Sequence, residues 1–210
     1  MITYKSYQMI KASVTKTATV FIVNQLIKRY LLKIDFDMFD QEWLKAVLAT
    51  MSGFMIHDLF TYRIRDKIIN KYKIDNDVYK GIVNDIFYFG TMLVSKEIIL
   101  ANVNSRNIST KNFQNIGLVL LGFVFYNLLF KNSSNKVYNE LSEHKSSLNY
   151  GFTSNIATFT DTTKTIIAIL VSDFLPDYGI DLSTLPIVFS LAISIPIYRL
   201  VTGPLAGVEQ

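Results

Sequence analysis

The chain contains no cysteine and only two histidines, His57 and His144. The lack of cysteine excludes structural disulfides, thiolate metal sites and cysteine nucleophiles. No group of His, Asp and Glu has metal-ligand spacing, and no glycine-rich loop or nucleophile elbow is present. We therefore expect a protein that is not an enzyme and that needs no metal or other cofactor.

Charge is also scarce, and long apolar stretches take its place. Charged residues make up 18% of the 210 residues and hydrophobic residues 50%, whereas soluble domains carry about 25% charged residues. Six stretches approach the roughly 20 residues that cross a hydrocarbon core: about 12–32, 44–62, 80–101, 112–130, 154–175 and 185–202. They predict an all-α fold, a polytopic membrane helical bundle of about six helices in one domain, 1–210.

Two alternatives stay open at this point. The stretches 12–32 and 154–175 are the weakest, because Lys28 and Arg29 interrupt the first and a threonine-rich half interrupts the second. Either could lie partly in the interface instead of spanning the membrane. The mean hydropathy of +0.27 is low for a polytopic membrane protein, so a soluble helical protein is the other alternative.

A short pattern recurs three times. The second helix of each predicted pair carries a small residue, apolar residues, a ring, a polar group and leucine: GFMIHDL at 53–59, GFVFYNL at 122–128 and SIPIYRL at 194–200. The first helices carry VNQ at 23–25, VSK at 94–96 and VSD at 171–173. Copies about 70 residues apart predict three repeated helical hairpins. Their ranges are 12–62, 80–130 and 154–202, joined by polar links 63–79 and 131–153.

The charges of the connections predict an orientation. Basic residues near membrane ends favour the cytoplasmic side, and the link 63–79 is strongly basic, whereas the turns within the first and third hairpins are acidic. Both termini and both links are thus expected on the cytoplasmic side of an integral membrane protein. Lys28, Arg29 and Lys33 are exceptions at the outer end of the first helix.

Ionisable and polar residues inside the predicted spans are the candidate site residues. A charge at the bilayer centre costs at least about 2.5–3.5 kcal/mol, so we expect these groups to pair with one another and dock the helices. Asp85 or Asp58 could pair with a lysine or arginine, His57 could share the charge of Asp58, and Lys164 could also pair with Asp161 in its own helix. The set comprises His57, Asp58, Asp85, Lys96, Glu97, Asn127, Asp161, Lys164 and Arg199.

The basic link is a second candidate surface. It alternates cations with isoleucines, which is typical of a stretch lying on an anionic membrane face or against an acidic partner. The cations are Arg63, Arg65, Lys67, Lys71 and Lys73. Nucleic acid could use the same charges, but nothing in the sequence predicts specific nucleic-acid recognition.

These features predict a structural multi-pass membrane protein, a scaffold or subunit of a larger complex. Its expected partners are the lipid bilayer, other proteins of that assembly and further copies of itself. The bias toward Ile, Lys, Asn and Tyr favours two settings, the internal virion membrane of a large DNA virus particle or an organellar membrane complex. The alternative function is a small ion or solute channel or transporter that uses the buried Asp, Lys and Arg groups.

Overall fold

A computed structural model describes residues 4–35, 37–143, 150–177 and 188–197. Within these residues the chain is helical and contains no strand, which confirms the all-α prediction. The helices are α1 Tyr4–Leu26, α2 Gln41–Ile56, α3 Tyr62–Lys71, α4 Asp77–Val103, α5 Thr110–Glu143, α6 Tyr150–Asp177 and α7 Val188–Ile197.

Successive helices pack side by side. α1 lies against α2, α2 against α4, α4 against α5, and α5 against α6. The last helix returns to the first, because the side-chain amide of Asn24 in α1 donates to Ser190 Oγ in α7 at 2.7 Å. The helices therefore enclose a common interior.

Two helices continue through π-helical turns. One turn, Ile27–Leu31, extends α1, and the other, His57–Thr61, joins α2 to α3 without a break. π-turns are rare and often mark functional positions in helices. The second of these turns begins at His57 and Asp58, two of the candidate residues.

The two predicted polar links are largely helical, which corrects the sequence-based boundaries. α3 covers residues 63–71 of the link 63–79. α5 continues beyond the predicted helix end at residue 130 into the link 131–153. The sequence-based prediction placed the end of each helix at the end of its apolar stretch. Backbone hydrogen bonds do not require apolar side chains, so a helix can continue into a polar stretch that contains neither glycine nor proline, as 63–71 and 131–143 do.

Two glycines bring helices into backbone contact. A Cβ added at Gly53 in α2 would lie 2.6 Å from the carbonyl oxygen of Met92 in α4. A Cβ added at Gly122 in α5 would lie 2.5 Å from Cα of Ala168 in α6. Both glycines belong to the recurring GF pattern, and each packs on a helix that begins the next predicted hairpin. Small residues permit such close approach of helices.

Two helices of the described part are long and apolar enough to cross a membrane: α4, over Asp77–Val103, and the Thr110–Lys136 part of α5. Only 11% and 22% of their most apolar stretches are buried. A core helix of a soluble protein would bury most of such a stretch. These two helices instead expose it, which favours membrane association.

Candidate functional site

The interior of the bundle contains many polar side chains, and its outside exposes many large apolar ones. Polar and apolar side chains are equally numerous among the described buried residues, and the most deeply buried include His57, Asp58 and Asn127. Large apolar side chains such as Leu48, Phe60 and Leu129 are more than half exposed. Soluble proteins place these two classes the other way round.

The first polar cluster surrounds Asp58, whose side chain is 1% exposed. Ser13 in α1 donates its hydroxyl to Asp58 Oδ2 at 2.6 Å, so the carboxylate ties α1 to the turn after α2. His57 Nδ1 lies 2.9 Å from Asp58 Oδ1. Because a carboxylate only accepts hydrogen bonds, Nδ1 carries the hydrogen in this contact.

His57 is constrained on its other side by an aromatic ring. Its imidazole meets the Tyr88 ring edge to face, with 4.9 Å between centroids, and its buried Nε2 has no hydrogen-bond partner among the described residues. A hydrolytic triad would require this nitrogen to contact a nucleophilic hydroxyl. Ser13 instead bonds directly to Asp58, which links α1 to the π-turn after α2.

The second polar cluster surrounds Asp85 in α4. Asn127 in α5 donates to Asp85 Oδ2 at 2.6 Å, and Lys164 in α6 donates to Asp85 Oδ1 at 2.8 Å. The Asn127 amide also donates to the carbonyl of Phe123 one turn earlier, at 2.8 Å. One carboxylate thus joins three helices, and a charge-assisted bond of this kind is stronger than a bond between neutral groups.

Aromatic rings connect the two clusters. Tyr88 contacts Phe54 and His57 of the α2 side, and its neighbour Phe89 stacks on Phe123 of α5 at 4.1 Å. The Lys164 ammonium also lies 6.0 Å from the Phe89 ring centroid. Tyr88 and Phe89 lie on the stretch of α4 between the charged residues Asp85 and Lys96. We call this row of rings the middle layer.

Polar contacts hold two turns together at one end of the bundle. Lys45 near the start of α2 donates to Asn104 Oδ1 at 2.9 Å, and Asn104 donates to Glu42. The hydrogen bond from Lys45, followed by the charge of that lysine, keeps the pKa of Glu42 below its ordinary value. The turn after α1 and the turn after α4 therefore lie at the same end.

Lys96 and Glu97 lie near that end of α4. Arg106, in the turn after α4, pairs with Glu97 at 2.7 Å, and Asn112 of α5 also bonds to Glu97. The hydrogen bond to Glu97 raises the pKa of Arg106 above its ordinary value. Lys96 lines a cavity and is described below. The side chain of Asp161 and the whole of Arg199 lie outside the described residues.

The predicted basic surface lies on α3 and the turn after it. Arg63, Lys67, Lys71 and Lys73 are exposed, whereas Arg65 is half-buried and bonds to Asp66. Arg63 lies over the Tyr62 ring, and Lys71 lies over the Tyr72 ring. Four of the five cations therefore face the surroundings of the bundle.

Two of the cavities between the described helices adjoin these polar clusters. The first, about 460 Å³, is lined at its polar part by Lys16, Arg65, Asp85 and Lys164. The second, about 490 Å³, is lined at its polar part by Asn24, Gln25, Lys28, Trp43 and Lys96. Both cavities share a mostly apolar wall beside Phe89 of the middle layer, formed by Val20, Phe21, Phe89, Met92 and Leu191 together with Thr50 and Thr165.

Sequence reasoning did not single out Ser13, Tyr88 or the cavities. One sequence signal could have indicated Ser13: Thr17 follows it by one helical turn, which places two hydroxyl groups on the same face of a helix. Both side chains are buried in the structure. Tyr88 resembles any other aromatic residue of an apolar helix. The cavities depend on the spacing between helices, which a single sequence does not encode directly.

No group of three or more His, Cys, Asp or Glu side chains that could hold a metal occurs within the described ranges. The comparisons with known proteins give no match, whether to a protein-family model, a curated protein or a solved structure.

Proposed function

We propose that this chain is an integral multi-pass membrane protein with a structural role, a scaffold or assembly component. The observation that carries the proposal is the inverted polarity: buried His57, Asp58 and Asn127 inside, and exposed apolar side chains outside. In hydrocarbon an apolar exterior has no cost, and inward-facing polar groups pair with one another.

In this proposal three helical hairpins form the bundle. α1 with α2, α4 with α5, and α6 with α7 are the pairs, and both termini lie on the cytoplasmic side together with basic α3. This pairing is supported by the packing of Gly53 and Gly122, because each contacts a helix of the next pair. It is also supported by the joining of the turns after α1 and α4 at one end.

The contacts that the buried polar groups make between helices support a structural role. The Asp58 and Asp85 carboxylates are engaged by side chains from other helices, which fixes how the helices dock. The exposed cations of α3 offer a docking surface for anionic lipid headgroups or an acidic neighbour in a virion or organellar membrane assembly. Contacts of about 1 kcal/mol per exposed cation with an anionic surface would add up over this helix.

Two experiments test this proposal. After expression in cells, the protein should stay in the membrane pellet through an alkaline carbonate wash and enter solution only with detergent. Release by carbonate alone would overturn the membrane location. Mild-detergent purification from the native source should retain a neighbour in fixed stoichiometry. Recovery of the chain free of any protein neighbour would overturn the assembly role.

A channel or transporter is the second candidate, and the two cavities favour it. They share the mostly apolar wall beside the middle layer, and each opens to polar residues on its far side. Charged groups in membrane bundles often mark solute routes. Solute or ion flux into vesicles that contain the purified protein should then fall on exchange of Asp85 and Asp161 for Asn. Absence of any flux for the unmodified protein would remove this candidate.

A further inference from the structure

The second cavity is polar at one end and apolar at the other. Lys28, in the π-turn after α1, and Lys96, late in α4, line it together with the amides of Asn24 and Gln25. The remaining wall is mostly apolar, with Phe21, Leu93, Val119, Phe123 and Ile169 among its residues, and it also includes Thr50 and Thr165. A molecule that fills this cavity would place its polar part near the lysines and its apolar part against the middle layer.

The polar end has an excess of positive charge. No carboxylate lines this cavity in the part of the chain that the structure describes. The first cavity also has cations in its wall, but it includes a carboxylate: Lys164 pairs with Asp85 at 2.8 Å, and Arg65 of the same wall bonds to Asp66. The side chains of Lys28 and Lys96 form no hydrogen bond with a described residue, although the charge of Lys96 is partly offset by the neighbouring Glu97 carboxylate, which itself bonds to Arg106. An anion bound at this cavity would interact favourably with both ammonium groups.

The amide groups at this end are already oriented by the fold. Gln25 is buried and donates to the carbonyl of Met38 at 2.8 Å, and Asn24 donates to Ser190. Trp43 adds a donor without an acceptor: its buried Nε1 has no hydrogen-bond partner among the described residues. The Trp43 N–H and the two lysine ammonium groups are therefore the donors at this end that could bind an anion, whereas the Asn24 and Gln25 amides each keep one N–H and one acceptor oxygen.

We propose that the second cavity binds an amphipathic anion, with a carboxylate or phosphate head at Lys28 and Lys96 and an apolar body against Phe21, Phe89 and Phe123. Its volume of about 490 Å³ lies in the range of small-molecule sites, roughly 300–1,000 Å³. The inference rests on the second proposed function, because a transporter needs a solute site in its interior. A fatty acid and an anionic lipid both carry the required chemistry.

The chain provides its own probe for this site. Trp43 is the only tryptophan, and it lines the cavity. Bromine quenches tryptophan fluorescence at short range, so 11-bromoundecanoate should quench Trp43 saturably in the detergent-purified full chain. Undecanoate should displace it, whereas the neutral 11-bromoundecanol should bind at least tenfold more weakly. Equal saturation by the acid and the alcohol, or quenching without saturation, would overturn the anion site.

Variants locate the head group. The double substitution Lys28→Gln and Lys96→Gln should weaken binding of 11-bromoundecanoate at least tenfold, and Lys28→Arg with Lys96→Arg should retain it. Lys67→Gln removes an exposed cation of α3 and is the matched control, with unchanged affinity. Unchanged binding by the double Gln variant, or equal loss in Lys67→Gln, would overturn the assignment. If the Gln variant does not fold, the Arg pair and the acid-alcohol difference still decide.

Competition identifies the source of the anion. Displacement of 11-bromoundecanoate by phosphatidylglycerol but not phosphatidylcholine assigns the site to an anionic lipid, and displacement by undecanoate alone assigns it to a free acid. The outcomes separate this inference from the function on which it rests. Flux without saturable binding overturns the site and leaves the transporter, whereas binding without flux overturns the transporter and leaves the site.

Discussion

The first two helix pairs differ in how their buried carboxylate is stabilised. Each buries one carboxylate, Asp58 in the α1–α2 pair and Asp85 in the α4–α5 pair. Asp58 is satisfied within its own pair, by the Ser13 hydroxyl and the adjacent His57. Asp85 receives Asn127 from its own pair but also Lys164 from α6.

The difference separates two roles for a buried charge. Asp58 closes one pair of helices and does not itself contact the next pair, which is reached by the close approach at Gly53 and by the packing of Phe54 and His57 on Tyr88. Asp85 closes its own pair and also joins it to α6, so an ion pair and the close approach at Gly122 act at the same contact. The α4–α5–α6 part should therefore respond most strongly to changes of charge.

The largest expected effect is the loss of the cation from the Asp85 cluster. Lys164→Met should lower the free energy of unfolding in detergent by about 3–5 kcal/mol, since it leaves a buried carboxylate without its counter-ion. The double variant Asp85→Asn with Lys164→Met removes both charges and should recover most of this loss. Chemical denaturation followed by circular dichroism measures both. A double variant no more stable than Lys164→Met would contradict the ion-pair account.

The second largest effect is expected at the close approaches between helix backbones. Gly122→Ala forces a Cβ against the backbone of Ala168 and should cost about 1–3 kcal/mol, as other overpacked contacts do. Gly117→Ala in the same helix is the control, because no atom lies within 4 Å of its added Cβ. It should be neutral or stabilise the helix by up to about 1 kcal/mol. Equal melting temperatures for the two variants would refute the contact.

The hydroxyl of the Asp58 cluster should matter less than the lysine of the Asp85 cluster. Ser13→Ala removes one hydrogen bond to a charged group, worth about 1.5 kcal/mol at the lower end of its range. The contact with His57 remains and limits the loss. The same denaturation experiment should show this loss clearly below that of Lys164→Met. A loss as large as that of Lys164→Met would mean that the two clusters are equivalent.

The smallest effect concerns the exposed contacts between the two turns. The folded-state pKa of Glu42 is lowered, first by the hydrogen bond from Lys45. Its contribution to stability is thus present above the unfolded-state pKa and disappears as pH falls through the folded-state pKa. Glu42→Gln should lower the melting temperature slightly at neutral pH and have no effect in acid. A difference that persists unchanged in acid would exclude Glu42 as its origin.

The sequence was informative about helices and less so about contacts. Apolar stretches and sparse charge predicted the all-α class and located the cores of the helices, but they ended α5 too early and missed that the helix through α2 and the π-turn continues into α3. Asp58, Asp85 and Asn127 were recognisable because each interrupts an apolar stretch. The partner of Lys164 was not: Asp161, three residues away in its own helix, was as good a candidate as Asp85.

The two levels of organisation have different physical origins. A helix depends on hydrogen bonds between residues four apart and on the local succession of apolar side chains, so the sequence by itself determined where helices form. The pairing of Asp85 with Lys164, the contact of Ser13 with Asp58 and the charge at the second cavity depend on how each helix is rotated and how closely it approaches its neighbours. Only the tertiary structure decided those, because side chains up to 79 residues apart must meet for them to exist.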